Sequence, residues 1–138
     1  MASMLKSDNL GKLLLRVAVG GLMIFHGFSK LTHGIGFIEG MLAGRGWPGY
    51  IAYGVYVGEI LAPVLIIIGL RTRLAALVVA IDMIMAIWLA HAGNLFTVKE
   101  AGGAWAIEIE AFYLLASLAI FFAGGGQYSV SKGRNVWD

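Results

Sequence analysis

The chain has 138 residues, of which 59% are hydrophobic and only 13% charged, with a mean hydropathy of +0.83. The charged share is about half that of an ordinary soluble domain, which excludes a soluble fold and makes the lipid bilayer the first partner. A formal net charge of +2, with the basic residues at the ends of apolar runs, gives no basic stripe and argues against nucleic acid.

The start of the chain, MASMLKSDNLGKLLLR, is basic, but Asp8 and Asn9 interrupt it before any short apolar core with a small-residue cleavage pattern. The first helix is therefore expected to be retained. A membrane span needs roughly 20 mainly apolar residues. Residues 12–31 supply the first such run, and it carries the unexpected polar stretch FHGFSKLTHG. At about 100° per residue, Arg16, His26, Lys30 and His33 fall within an arc of roughly 100° and share one helix face. Arg16, near one membrane surface, is expected to snorkel to water, and His33 to mark the headgroup boundary. Gly20, Gly21 and Gly27 read as close-packing surfaces.

Residues 32–49 are too rich in glycine to span. Phe37, Ile38, Met41 and Leu42 recur at helical spacing, so a short amphipathic helix is predicted in the outer interface, anchored by Trp47 and Tyr50 and roofing the bundle.

The second span, residues 50–70, places Glu59 about nine residues deep, near the bilayer middle. Pro63 cannot donate to the carbonyl four residues back, which belongs to Glu59. A carboxylate there needs a cation such as Lys30, or it keeps its proton. The tight turn GLRTRLA leads to a third span, 73–92, which contains Asp82 and ends at His91. After the loop GNLFTVKEAGG, which could close the same outer end, the fourth span is predicted over residues 104–123, with Glu108 and Glu110 in its first turns. The run GGGQYS that follows is a helix stop and not a phosphate loop, because no strand or helix frames it.

Lys6, Lys12, Arg16, Arg71, Arg73, Lys132 and Arg134 lie at one set of helix ends, and Lys30, Arg45 and Lys99 at the other, so the positive-inside rule places both termini in the cytoplasm. The expected fold is an all-α membrane four-helix bundle, up-down-up-down, forming a single domain over residues 1–138 with the interfacial helix between helices 1 and 2.

Ionisable groups at membrane depth are costly and usually face a cavity or a partner. With this topology His26, Lys30, Glu59, His91 and Glu108 can converge in the outer half of the bundle. Glu108 and Glu110 are about 200° apart, so one of them faces elsewhere, as does one of Asp82 and His91, and spacing alone does not say which. The competing explanation is a set of buried ion pairs that fixes helix register without chemistry. A bis-histidine haem or a metal site is a poor reading, since each helix offers one histidine without local ligand spacing.

The segments LLLRVAVGGLMIFHGFSKL, GEILAPVLIIIGLRTRLAAL, MIMAIWLAH and EIEAFYLLASLAIFFAGGGQYS occur in this order over nearly the whole chain. As an ordered set they resemble the DoxX family of small four-helix membrane proteins. The matching positions are Arg16, His26, Gly27, Lys30, Glu59, Gly69, Thr72, Arg73, His91, Glu108 and Ser129, whereas Asp82, Glu110 and His33 look peculiar to this sequence. Gly125 and Ser131 depart from residues common in the family. The resemblance implies residence in a bacterial inner membrane and an association with quinone-linked redox metabolism.

On that basis the leading expectation is a quinone-interacting membrane protein, a subunit or accessory of a partner oxidoreductase. Glu59 and Glu108 would exchange protons, His26 or His91 would hydrogen-bond a quinone oxygen, Lys30 would hold the carboxylates charged, and Tyr53 and Tyr56 would line the mouth. No redox centre is evident in the chain itself, so electrons would come from a partner or a bound cofactor. The alternatives are a small proton-coupled transporter, for which a homo-oligomer would be expected, and a structural scaffold for a partner enzyme.

Overall fold

A computed structural model describes residues 7–138, which leaves Lys6 outside the described residues. Five helices follow one another, and no β-sheet is present among the described residues. Helix α1, Asp8–His33, starts where the Ser7 hydroxyl accepts the Leu10 N–H at 3.2 Å and Asp8 faces the positive end of the helix dipole. It ends with Lys30 and His33 in the last turn and Gly34 at φ 83°. The helix thus extends past both ends of its apolar run, because polar residues cap it well.

Helix α2, Gly36–Ala43, is the predicted short helix. It buries Ile38 and Leu42, as the spacing suggests, but leaves Phe37 of the same apolar set exposed. Arg45 fastens its far end to the rest of the protein, donating to the Leu89 carbonyl at 2.8 Å with its guanidinium 4.6 Å from the Trp88 ring centre. Trp47, half exposed, packs edge-on against Trp88.

Helix α3, Gly49–Ile68, is not uniform. It opens with a 3₁₀ turn over Gly49–Tyr53, passes through a short α-helical turn, widens into a π-helical turn over Val57–Leu61, and returns to α-helix at Ala62–Ile68. The wide turn ends where Ala62 N–H bonds back five residues to Val57. Pro63 follows at once and lacks the N–H that an α-helical bond would direct to the Glu59 carbonyl. Gly69 ends α3 in the left-handed region at φ 75°, its N–H on the Leu65 carbonyl.

Helix α4, Thr72–His91, follows directly, and α5 spans Glu108–Ala123. The fourth helix therefore begins four residues later than the hydropathy suggests. Trp105 instead pairs with Val98 in an isolated antiparallel bridge, held by the Lys99 N–H on Ala104 and the Ala106 N–H on Thr97. Three helices, α1, α3 and α4, are long and apolar enough to cross a membrane. The 16 residues of α5 reach only about 24 Å, short of a hydrocarbon core of about 30 Å.

Helix α1 packs on α3 and α5, α4 packs on α3 and α5, and α2 lies across the start of α3 and touches α4. One apolar cluster, including Val19, Met23, Ile66, Val79, Met83 and Ile120, fills the space between the long helices. A second, Ile35, Ile38, Leu42, Ala52 and Val55, forms beneath α2. Glycine brings α1 against α3. A Cβ on Gly20 would lie 2.6 Å from Ile67, and one on Gly27 would lie 2.6 Å from the Glu59 carbonyl oxygen. Gly21 has nothing within 4 Å of such an atom, so the packing role expected of it is absent.

Arg16 corrects another expectation. It does not snorkel but is fully buried. Its guanidinium donates to the carbonyls of Ile66, Ile67, Gly125 and Tyr128 at 2.7–2.9 Å. These oxygens lie at the end of α3 and in the tail after α5, where helix termini leave carbonyls without partners. Arg16 supplies four donors from one planar group and ties three parts of the chain together. Ser131 adds to the same seam by donating to the Gly69 carbonyl at 2.7 Å. Gly125 and Ser131, the two departures at the tail, thus both take part in it.

Candidate functional site

The two apolar clusters do not close on each other, and a cavity of about 560 Å³ lies where they meet. Met23 and Met83 from the first cluster and Ile38, Leu42 and Val55 from the second contribute apolar wall. The polar groups on that wall are few: His26, Lys30, Glu59, Asp82, Glu110 and the ring of Tyr113.

Local structure accounts for the position of each. Glu59 sits in the wide turn of α3, and its side chain is 7% exposed. A π-helical turn rotates the residues after it relative to an α-helix, and such turns recur at functional sites. Lys30, one turn from the end of α1, reaches across to hold both carboxylate oxygens, with Nζ 2.8 Å from Oε1 and 2.6 Å from Oε2. The Lys30 carbonyl in turn accepts the Tyr56 hydroxyl at 3.2 Å. The close approach of α1 to α3 at Gly27 makes this reach possible, since Gly27 stands against the Glu59 backbone.

Asp82 enters the cavity from α4. The absence of a side chain at Gly58 leaves room for it, as a Cβ there would sit 2.5 Å from the Asp82 carboxyl carbon. Its Oδ2 is buried and has no hydrogen-bond partner among the described residues. His26 stands exposed at the cavity rim, edge-on to the Tyr113 ring at 5.7 Å. Near the end of α4, Glu110 of α5 lines the cavity and meets His91 Nε2 at 3.4 Å.

The sequence placed His26, Lys30, Glu59, His91 and Glu108 around one space. His26, Lys30 and Glu59 do line the cavity, and His91 stands behind Glu110 without lining it. Glu108 is exposed and is not part of the wall, so of the two carboxylates on opposed faces it is Glu110 that faces inward. Tyr56 is also outside the wall and supports Lys30 through its hydroxyl. Tyr53 is exposed against Tyr56. Asp82 and Tyr113 were not among the expected site residues. For Asp82 a signal existed in its mid-helix depth and in the Gly58–Glu59 pair, but only a fold shows that Gly58 faces it.

Chemically, the wall offers one ammonium, three carboxyls and an imidazole around a largely apolar volume. Such a space suits a ligand with an apolar body and a small polar head. The arrangement defines a helical membrane protein in which Lys30, Glu59, Asp82 and Glu110, from four helices between them, line one partly open cavity.

The comparisons with known proteins agree with that class. The DoxX family model matches residues 11–92, and the chain belongs to this family. It is 37% identical over 120 residues to a Bacillus subtilis protein named "Putative oxidoreductase CatD", covering 86% of this chain and 83% of the relative. An uncharacterized protein of Haemophilus influenzae is 34% identical over 118 residues, 81% of each chain. No solved structure matches.

Proposed function

We propose that the protein binds a quinone in this cavity and serves a membrane oxidoreductase as a subunit or accessory. The observation that carries the reading is the Lys30–Glu59 ion pair, with Asp82 and Glu110, on the wall of an apolar space of about 560 Å³. The residues fit such a group: apolar walls match a ring and an isoprenoid tail, and the Asp82 carboxyl on that wall, engaged in no ion pair among the described residues, offers a hydrogen-bonding group for a head group. The name carried by the Bacillus subtilis relative supports an oxidoreductase setting.

A bound quinone supplies two-electron, two-proton carrier chemistry, with a partner enzyme providing the other half of the reaction. Lys30 fixes the Glu59 carboxylate against the wall, and the Glu59 and Glu110 carboxylates stand on that wall as proton acceptors for a ligand in the cavity. His26 at the rim offers a ring nitrogen to a head-group oxygen, and His91 links Glu110 to the outer end of α4. In the same reading α5, extended by the bridge before it, is the fourth span of an up-down-up-down bundle in a bacterial inner membrane, with both termini cytoplasmic.

The test is to purify the protein from its native membrane and extract its lipids for quinone, alongside His26→Ala and Glu59→Gln variants that still fold. Quinone retained by the wild type and lost in the variants supports the reading. Wild-type protein that neither retains nor binds quinone refutes it. Ion or solute flux in proteoliposomes, abolished by the same substitutions, would assign the cavity to transport.

A further inference from the structure

Asp82 is the group on the cavity wall for which no internal contact accounts. Lys30 directs its ammonium to both oxygens of Glu59, and Glu110 is engaged with His91, so each of the other two carboxylates has a cationic or basic neighbour. Asp82 makes no ion pair among the described residues, and its Oδ2 is buried without a hydrogen bond. Leaving such an oxygen unpaired is costly, and a partner is expected. The carboxyl packs against Gly58, whose missing side chain leaves it room, and Asp82 lies on the cavity wall.

Charge balance gives the state of the group. One ammonium faces two neighbouring carboxyls at membrane depth, so neutrality requires one proton on the pair. Because Lys30 already holds Glu59 through both oxygens, that proton belongs on Asp82. A carboxylic acid is a hydrogen-bond donor, whereas a carboxylate is not. His26, Glu110 and Tyr113 also face the cavity, but none stands in ion-pair distance of Asp82.

We propose that Asp82 is the head-group anchor of the cavity, a neutral carboxylic acid whose O–H is accepted by a carbonyl oxygen of the ligand. This rests on the ligand-binding reading above and narrows it. The ligand presents a neutral acceptor oxygen at the level of Gly58, and anionic head groups are disfavoured because Glu59 and Glu110 share the wall.

Two measurements test it. Infrared difference spectra of the solubilised wild type against Asp82→Asn should show the C=O band of a protonated carboxyl in the wild type only. If that band is absent, or survives in Asp82→Asn, the assignment is overturned whether or not any ligand binds. Equilibrium titration with a short-chain benzoquinone should show binding about tenfold weaker in Asp82→Leu, which has no donor, and near wild type in Asp82→Asn, whose amide still donates.

Gly58→Ala provides a variant that keeps Asp82 but displaces its carboxyl, and it should weaken binding as well. Wild-type protein that binds the benzoquinone with Asp82→Leu and Gly58→Ala unchanged refutes the anchor while sparing the ligand reading. Wild-type protein that binds none refutes the ligand reading itself and the anchor with it.

Discussion

Replacing Lys30 by Met separates the structural from the functional content of the cavity. The ammonium lies 2.6 and 2.8 Å from the two Glu59 oxygens, and the side chains are only 18% and 7% exposed. Removing one partner of a pair so shielded leaves the other without compensation, a loss of about 3–5 kcal/mol, or roughly two to three and a half powers of ten in the folding equilibrium. Removing both is different, because an apolar pair of similar volume carries no desolvation cost and is often near neutral.

Lys30→Met should therefore be strongly destabilised, and Lys30→Met combined with Glu59→Met should recover most of the loss. Reversible unfolding of the detergent-solubilised protein measures all three. A single variant within about 1 kcal/mol of wild type, or a double variant no better than the single, would show that the pair is not the isolated, shielded contact described. Quinone binding adds a second reading of the same proteins. If the pair serves the ligand, the double variant regains stability but not binding.

Other perturbations probe separate parts of the structure. Arg16→Lys should lose stability almost as severely as Arg16→Ala, because a compact ammonium cannot reach the carbonyls of Ile66, Ile67, Gly125 and Tyr128 together; a variant unchanged in chemical unfolding would contradict this. Gly27→Ala should cost about 1–3 kcal/mol, since its methyl would press on Ile60 and the Glu59 carbonyl, while Gly21→Ala should be neutral or slightly stabilising in the same assay. Glu108→Gln should leave benzoquinone titration unchanged, whereas Glu110→Gln should alter it, and the reverse order would place the wrong carboxylate in the cavity. The chain has no cysteine, so Lys99→Cys and Lys132→Cys can each be probed alone with an impermeant maleimide; labelling from opposite faces is expected of an up-down-up-down arrangement, and labelling from one face would refute it.

The polar residues that matter were visible in the sequence as misfits in apolar runs, and their helix faces followed from the 3.6-residue period. His26 and Lys30 share a face because they are four residues apart, and that is local geometry. The choice between Glu108 and Glu110 was not local. Both sit in the first turn of α5, and its rotation is fixed by packing against α1 and α4 and by the bridge at Val98 and Trp105, which delays the helix start. Hydropathy cannot register such a bridge, since Ala104, Trp105 and Ala106 are as apolar there as in a helix.

Arg16 and Asp82 mark the same boundary from opposite sides. Near a membrane surface an arginine can reach water or find protein carbonyls, and sequence carries no information on whether four carbonyls from the end of α3 and the tail will gather around it. Asp82 could have faced lipid, a partner or a cavity, and what decides is a missing side chain on another helix, Gly58. The sequence by itself determined the solvent, the helices, the short amphipathic segment and the list of residues too costly to leave in lipid, because hydrophobicity and helical period act within one segment. Only the tertiary structure decided which of those residues meet, because that depends on the close approach of helices at glycines and on a wide turn just before Pro63 that sets which way Glu59 points toward neighbouring helices.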